Sequence, residues 1–332
     1  MFAKIGRRAA VVGAVTVVGL MLTGCGLQPA SSYVPAVGPG TIQQIPGLQD
    51  ASITVTSKNF TEQIILGKIS VLAAQAAGFN VTDLTNVPGS QPVRELLLAG
   101  QADITWDYTG TAWLIYLGEA AGIPDQDAQW EAVYEADLKN GLTWGEPAAL
   151  NNTYGMGVRS EAVAELGGIG AISGIATLPV EERTFCVEAE FNSRSDGLNP
   201  MLAHYGLQRG AADGVPDDNI GIYDTGAIYS ATDQGECNFG EVFTTDGRID
   251  ALDLTVLDDD LTFFPAYNAA PVFFTETLTK YPQLEDIFAQ ISPALTDEAL
   301  RKLNLKVDVV GEEPADVAFE WMKEQGFITD AE

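Results

Sequence analysis

The sequence has little positive charge for its length. Its 332 residues include 17 Lys and Arg against 46 Asp and Glu, which gives a formal net charge of −29 at pH 7. Nucleic-acid binding needs a basic face, so this balance excludes nucleic acid as a partner. We attribute the acidity to a solvated surface, because even the run Asp258-Asp259-Asp260 lacks the spacing of an EF-hand calcium loop.

The motifs of common catalytic sites are also missing. The sequence has no Gly-x-Ser-x-Gly string, no phosphate-binding glycine loop and no histidine-rich metal string. Its single histidine, His204, falls within a predicted helix at residues 198–205, where a packing or solvated role is expected. We therefore expect no catalytic residue, no metal site and no cofactor, although the many carboxylates leave a glycosidase open by composition.

The N-terminus has the pattern of a targeting segment. Lys4, Arg7 and Arg8 precede an apolar run at residues 9–22 that is too short to span a bilayer as a helix. The run ends in Leu22-Thr23-Gly24-Cys25, which resembles the lipobox of bacterial lipoproteins. We predict a signal peptide at residues 1–24, lipidation at Cys25 and anchoring on the outer face of the cytoplasmic membrane.

The segment after Cys25 has no charge from residue 26 to residue 49 and is rich in proline, glycine and serine. We predict a flexible tether over residues 25–51 because this composition is poorly suited to form a core. The folded part should then begin near Ser52, with no further membrane span.

Two cysteines remain, Cys186 and Cys237, and both lie in or beside predicted strands. Outside the cytoplasm such a pair can form a disulfide if the strands are adjacent. Two buried thiols are the alternative.

The remaining chain alternates between short β-rich runs and helical patterns. Residues 53–57, 81–87 and 102–106 have the character of strands, and residues 61–77, 91–99 and 111–117 have helical spacing. A second such unit begins near Tyr154. This alternation predicts an α/β protein with mostly parallel sheets and two lobes around a cleft. Ligands of such sheets bind beyond the carboxyl ends of the strands, where Lys58, Tyr108 and Arg194 fall.

Aromatic and cationic residues recur in short strings along the chain. Aromatic faces attract a cation that has no proton to donate, and lysine or arginine attracts an anion. The strings therefore suggest a pocket for a small zwitterion with a quaternary ammonium group. They are residues 57–63 (SKNFTEQ), 106–111 (WDYTGT), 151–154 (NNTY), 191–197 (FNSRSDG), 243–248 (FTTDGR) and 263–267 (FFPAY).

These strings resemble those of the substrate-binding proteins of osmoprotectant ABC importers, which carry glycine betaine, choline, carnitine and similar compounds. Residues 57–63 match the family's opening string, and residues 107–111 (DYTGT) are similar to its usual Glu-Tyr-Thr-Gly-Thr. Residues 245–248 (TDGR), 263–265 (FFP) and 269–271 (AAP) also agree, whereas Phe243 and residues 88–90 (PGS) depart from the usual Tyr and Gly-Gly-Thr.

The resemblance implies a two-lobed type II periplasmic-binding-protein fold in which two hinge segments cross between the lobes. It places residues 52–152 and 248–332 in the first lobe and residues 153–247 in the second. It also implies a quaternary ammonium ligand, permease subunits in the membrane as partners, and no enzymatic activity. Choline, carnitine and ergothioneine remain alternatives to glycine betaine, and an enzyme or a scaffold on the same fold is a further alternative.

The resemblance also assigns roles to particular residues. Tyr108, Tyr154, Phe243 and Tyr267 would form an aromatic cage around the methylated nitrogen. Donor chemistry, rather than the resemblance, suggests that Arg194, Lys58 and Thr111 would bind a ligand carboxylate. The alternatives are a lobe-closing salt bridge for Arg194, a solvated or Glu62-paired Lys58, and hinge packing for Tyr154. For Trp106 we expect core packing.

Overall fold

The computed structural model describes residues 34–331, so the predicted signal peptide and Cys25 lie outside the described residues. The strands are β1 (Val37–Pro39), β2 (Ser52–Lys58), β3 (Asn80–Val87), β4 (Ile104–Tyr108), β5 (Leu142–Trp144), β6 (Tyr154–Arg159), β7 (Phe185–Glu188), β8 (Ile220–Tyr223), β9 (Phe239–Phe243), β10 (Leu254–Val256), β11 (Ala269–Phe274) and β12 (Ile328–Asp330).

The α-helices are α1 (Thr61–Ala76), α2 (Ser90–Leu98), α3 (Thr109–Thr111), α4 (Gln126–Leu138), α5 (Ala162–Glu165), α6 (Ala189–Ser193), α7 (Leu198–His204), α8 (Thr225–Asp233), α9 (Arg248–Ala251), α10 (Thr275–Lys280), α11 (Gln283–Ile291), α12 (Asp297–Leu305) and α13 (Pro314–Glu324). Two π-helical turns, Ala112–Tyr116 and Lys306–Val310, follow α3 and α12 directly. Within residues 34–331 no helix has both the length and the apolar character needed to cross a membrane.

Two five-stranded sheets form the centres of the two lobes. The first sheet has the order β3-β2-β4-β11-β5 and the second has the order β10-β6-β9-β7-β8. Each is mixed rather than mostly parallel: β2 is parallel to β3 and β4, but β11 is antiparallel to β4 and β5. The second sheet repeats this division, because β7 is parallel to β8 and β9 while β6 is antiparallel to β9 and β10.

Helix α1 fixes the position of the first lobe's site residues. It is buried on nearly all sides, with Ile65, Leu66, Ile69 and Leu72 fully covered by the first sheet and by α13. Because α1 begins directly after β2, its first turn lies at the carboxyl edge of the sheet. Trp106 packs in the same core, as expected, and its indole N–H donates to Ser70 Oγ at 2.9 Å.

The predicted tether is wrong over its C-terminal half. Strand β1 pairs antiparallel with β12, and Ile42 is only 1% exposed within the first lobe's core. Leu48 and Ala51 are buried in the same core. Residues 26–49 lack charge, and the widely spaced apolar side chains of the segment are enough to dock it onto the core of the first lobe.

The predicted return to the first lobe at residue 248 is also wrong for the residues that follow directly. Strand β10 pairs with β6 of the second sheet, and Leu257 packs in the second lobe's core. The chain rejoins the first sheet at Asn268, which forms an isolated antiparallel bridge with Asn151. Because β10 has only three residues, its composition does not indicate which sheet it extends.

Cys186 and Cys237 are joined by a disulfide within the second lobe. Cys186 lies in β7 and Cys237 lies just before β9, and these two strands are adjacent and parallel. The link therefore connects neighbouring strands of the second sheet, as the disulfide alternative required.

Candidate functional site

The seven ligand-binding residues predicted from the sequence all line one cavity of about 140 Å³ between the two lobes. They are Lys58, Tyr108, Thr111, Tyr154, Arg194, Phe243 and Tyr267. A cavity of ~150 Å³ is large enough for a molecule the size of benzene. The cavity therefore suits a small solute rather than a polymer or a nucleotide.

The aromatic residues converge because they sit at strand ends. Tyr154 begins β6 and Phe243 ends β9, and the two residues pair directly across these strands. Their ring centres are 5.3 Å apart. The Tyr267 ring meets the Tyr154 ring edge-on at 5.5 Å, and Tyr108 ends β4 on the first sheet. These rings therefore form two walls of the cavity, one from each lobe.

A fifth aromatic ring, Phe60, was missed in the assignment of roles. Phe60 lies at the start of α1 and stacks on Phe243 with ring centres 5.2 Å apart and planes 17° from parallel. It also lies against Tyr108 at 6.2 Å. Phe60 stands inside the string at residues 57–63, so an aromatic residue beside a predicted site lysine was the available signal.

Lys58 is neither solvated nor paired with Glu62. Its ammonium Nζ lies 2.6 Å from Asp107 Oδ1, and both side chains are 5% exposed. The Asp107 carboxylate also accepts hydrogen bonds from the Tyr108 backbone N–H at 2.8 Å and from the Tyr116 hydroxyl at 2.9 Å. Asp107 therefore holds Lys58 at the cavity wall, with Nζ 5.0 Å from the centre of the Tyr108 ring.

Arg194 is held in a similar way by Asp196. Its Nε and Nη2 donate to the two Asp196 carboxylate oxygens at 2.6 Å each, and Tyr267 donates its hydroxyl proton to Asp196 Oδ2 at 2.6 Å. Arg194 Nη2 also reaches Thr111 Oγ1 in the first lobe at 3.4 Å. The main salt bridge of Arg194 thus lies within its own lobe, and its contact across the cleft is with a hydroxyl.

Glu62 lies beneath the cavity and joins both lobes. Its carboxylate accepts hydrogen bonds from Tyr108 Oη at 2.7 Å, Asn152 Nδ2 at 2.9 Å and Thr245 Oγ1 at 2.5 Å. Asn304 Nδ2 approaches the same group at 3.5 Å. Burial raises the pKa of Glu62, although these hydrogen bonds oppose the shift. The arrangement fixes the Tyr108 ring and ties it to the hinge segment at Asn152.

Acidic residues of the second lobe complete the site and were not foreseen. Glu188 and Glu190 line the cavity, and Glu241 lies behind them with its Oε2 accepting the Glu188 N–H at 2.8 Å. Burial raises the pKa of Glu241 to about 8, so this carboxyl is mostly protonated at neutral pH. Nothing in the short strings indicated which of the chain's many acids would lie at the site.

His204 and Asp259 lie outside the cavity and form hydrogen bonds with neighbouring backbone groups. His204 Nε2 lies 3.1 Å from the Leu261 carbonyl oxygen. The Asp259 carboxylate accepts the backbone N–H groups of Phe263 and Phe264 at 2.9 and 2.8 Å. Within residues 34–331 no group of His, Cys, Asp and Glu side chains is arranged to hold a metal ion.

Comparison with known proteins gives consistent matches over nearly all of the folded chain. The family model described as the substrate binding domain of ABC-type glycine betaine transport systems matches residues 51–324. A glycine-betaine-binding protein of Pseudomonas aeruginosa is 34% identical over 292 residues, which cover 86% of this chain and 91% of that protein. An ergothioneine transport permease/ergothioneine binding protein of Helicobacter pylori is 27% identical over 285 residues, or 84% of this chain and 48% of that protein.

Solved structures agree with these matches. A glycine betaine/carnitine/choline ABC transporter structure is 25% identical and superposes with a TM-score of 0.66, over 83% of this chain and 99% of that one. The apo form of YehZ from Escherichia coli is 26% identical with a TM-score of 0.61, over the same shares of both chains.

Proposed function

Since this chain belongs to the family of substrate-binding domains of ABC-type glycine betaine transport systems, we propose that its interlobe cavity binds a quaternary ammonium group within an aromatic cage. The chain is the solute-binding component of an ABC importer and is not an enzyme. It acts outside the cytoplasm, and its protein partners are permease subunits in the membrane. The observation that carries the cage is the convergence of the aromatic rings on one small cavity.

The cage suits a trimethylammonium group for a physical reason. Such a cation cannot donate a hydrogen bond and is weakly hydrated, so aromatic faces replace water around it at little cost. Each ring contributes ~0.5–2 kcal/mol, with the larger values for desolvated contacts. Tyr108 and Tyr267 are only 4% and 2% exposed, so their contacts with the ligand belong to the stronger class.

The opposite end of the ligand would meet Lys58, Arg194 and Thr111. Asp196 accepts hydrogen bonds from Nε and Nη2 of Arg194, Nη2 also reaches Thr111, and Glu190 accepts from Nη1. One further N–H of Nη1 remains for a ligand carboxylate. Lys58 likewise has more N–H groups than its bond to Asp107 uses. This set favours glycine betaine or another betaine, such as carnitine or ergothioneine.

The ligand would also favour closure of the lobes. Phe60 and Tyr108 come from the first lobe and Tyr154 and Phe243 from the second, so the cage is complete only when the lobes meet. A ligand shifts such an equilibrium by its differential affinity for the two states. We further propose that Cys25 is lipidated and holds the receptor on the membrane that contains its permease.

Calorimetric titration of the purified protein tests this function. The ligands are glycine betaine, choline, carnitine and ergothioneine, with N,N-dimethylglycine as a ligand whose nitrogen carries a proton. Tyr108→Ala and Tyr267→Ala should each weaken binding at least about tenfold, because losing a desolvated cation–π contact costs ~1.5 kcal/mol or more. Tyr223→Ala, at the end of β8 and outside the cavity, is the matched control.

Two further comparisons separate the parts of the site. Arg194→Ala should weaken glycine betaine binding more than choline binding, because choline has no carboxylate. Glycine betaine should bind more tightly than N,N-dimethylglycine if the rings select a methylated nitrogen. If neither tyrosine variant differs from the Tyr223 control, the ligand does not sit in the cage.

A further inference from the structure

Glu190 is an acid placed among the positive groups of the cavity. It lies in α6 of the second lobe, and its Oε1 accepts a hydrogen bond from Arg194 Nη1 at 3.2 Å. Its Oε2 accepts the backbone N–H of Ser90 at 3.3 Å. Ser90 is the first residue of α2 in the first lobe, so Glu190 spans the cleft beside the cavity.

The other acids that hold the site's bases lie in different positions. Asp107 and Asp196 are 3% and 4% exposed and pair with Lys58 and Arg194 from behind, whereas Glu190 itself lines the cavity. Burial alone would raise the pKa of Glu190, but the Ser90 hydrogen bond and the charges of Lys58 and Arg194 outweigh it and lower the pKa. Glu190 is therefore a carboxylate at neutral pH.

A carboxylate in this place acts oppositely on the two ends of a ligand. It attracts the quaternary nitrogen of any ligand in the cavity. It repels a ligand carboxylate that approaches Arg194, because both anions then face the same guanidinium. A hydroxyl at that end of the ligand meets no such repulsion and can donate a hydrogen bond to Glu190.

We propose that Glu190 is a specificity-determining residue that sets the preference of the site between zwitterionic betaines and cationic solutes that end in a hydroxyl, such as choline. This inference rests on the proposed function, since it assumes that quaternary ammonium solutes enter the cavity. In this role Glu190 weakens the advantage that Lys58 and Arg194 give to a carboxylate. The site then binds both solute classes with similar affinity rather than strongly preferring one of them.

The test is the ratio of choline to glycine betaine dissociation constants, measured by calorimetry on the wild-type protein and on Glu190→Gln. The variant keeps the size of the side chain and an oxygen that can accept from Ser90. Removing the charge should raise the ratio in favour of glycine betaine on the order of tenfold, because a nearby like charge is lost for one ligand only. Effects on lobe closure and on the shared ammonium group cancel in the ratio.

Glu165→Gln is the matched control, because it removes the same charge from an exposed residue of the second lobe in α5. Glu190→Ala gives a second reading in which the Ser90 hydrogen bond is lost as well. If the ratio in both Glu190 variants stays within twofold of the Glu165 control, Glu190 is only a contact between the lobes and the inference is overturned. If the wild-type protein binds neither ligand, the proposed function itself fails, and this is a different outcome.

Discussion

Replacement of Asp196 by alanine should lower the free energy of unfolding more than a single replacement at a surface ion pair does. Asp196 accepts two hydrogen bonds from Arg194 and one from the Tyr267 hydroxyl, all at 2.6 Å. Asp196, Arg194 and Tyr267 are residues that are 4%, 7% and 2% exposed, respectively. Without Asp196 the buried guanidinium would lose its bidentate partner. Its charge would keep the longer contact with Glu190 and its position over the Tyr154 ring.

The expected loss follows from the burial. Removing one partner of a buried ion pair costs about 3–5 kcal/mol, because the other charge stays desolvated and uncompensated. The surface pair of Arg209 and Asp217 supplies a matched control with nearly the same geometry, 2.7 Å from Nε to Oδ1, but with side chains 28% and 70% exposed. For Asp217→Ala we expect about 0–1 kcal/mol.

The measurement is urea unfolding followed by tryptophan fluorescence and by circular dichroism. The slope of the unfolding free energy against urea concentration is compared among the wild-type protein, Asp196→Ala and Asp217→Ala. Calorimetry with glycine betaine on the same samples should show weaker binding for Asp196→Ala only, since Arg194 and Tyr267 both lose the group that orients them. Equal losses of stability for Asp196→Ala and Asp217→Ala would refute the assignment of Asp196 as a buried organiser of the site.

Three more changes test other parts of the structure. Phe60→Ala should weaken glycine betaine binding roughly tenfold in calorimetry whereas Phe60→Tyr should not, because the ring face is the binding element. Glu241 has a pKa of about 8 in the folded protein against 4.5 ordinarily. Between these pH values the folded state keeps a proton that the unfolded state releases, so the free energy of unfolding falls as the pH rises. Glu241→Gln should remove that part of the pH dependence, about 1.4 kcal/mol per pH unit, in urea unfolding at about pH 5 and pH 8; an unchanged profile would contradict the burial of this proton. Replacing Cys186 and Cys237 by serine should lower the unfolding free energy of the second lobe by about 2–5 kcal/mol, and reducing agent should then have no further effect.

The structure brings the predicted site residues to one cavity, and two kinds of reasoning led to them. Lys58, Tyr108 and Arg194 follow predicted strands and so were expected at one rim, whereas Tyr154, Phe243 and Tyr267 were indicated by the family resemblance and not by periodicity. The acids Asp107, Asp196 and Glu190 were not separable from the chain's many other carboxylates, because their roles depend on which base lies opposite them in three dimensions. The same holds for β1 and β10, which are three residues each and are defined by their partners β12 and β6 rather than by their own composition.

Because the site is formed by two lobes, a substitution can affect either the closure of the lobes or the contact with one end of the ligand. Binding measurements can distinguish these two effects. Contacts such as the hydrogen bond from Asn304 Nδ2 to the Thr245 carbonyl oxygen, at 2.9 Å, join the lobes outside the cavity. Weakening such contacts alters the closed state alone, so every solute should lose affinity by a similar factor. A change in a group that meets only one end of the ligand, such as Glu190, alters the order of affinities. A parallel loss across solutes therefore identifies a contact that closes the lobes or that meets the shared ammonium group. A reordering of the affinities identifies a contact with the end at which the solutes differ.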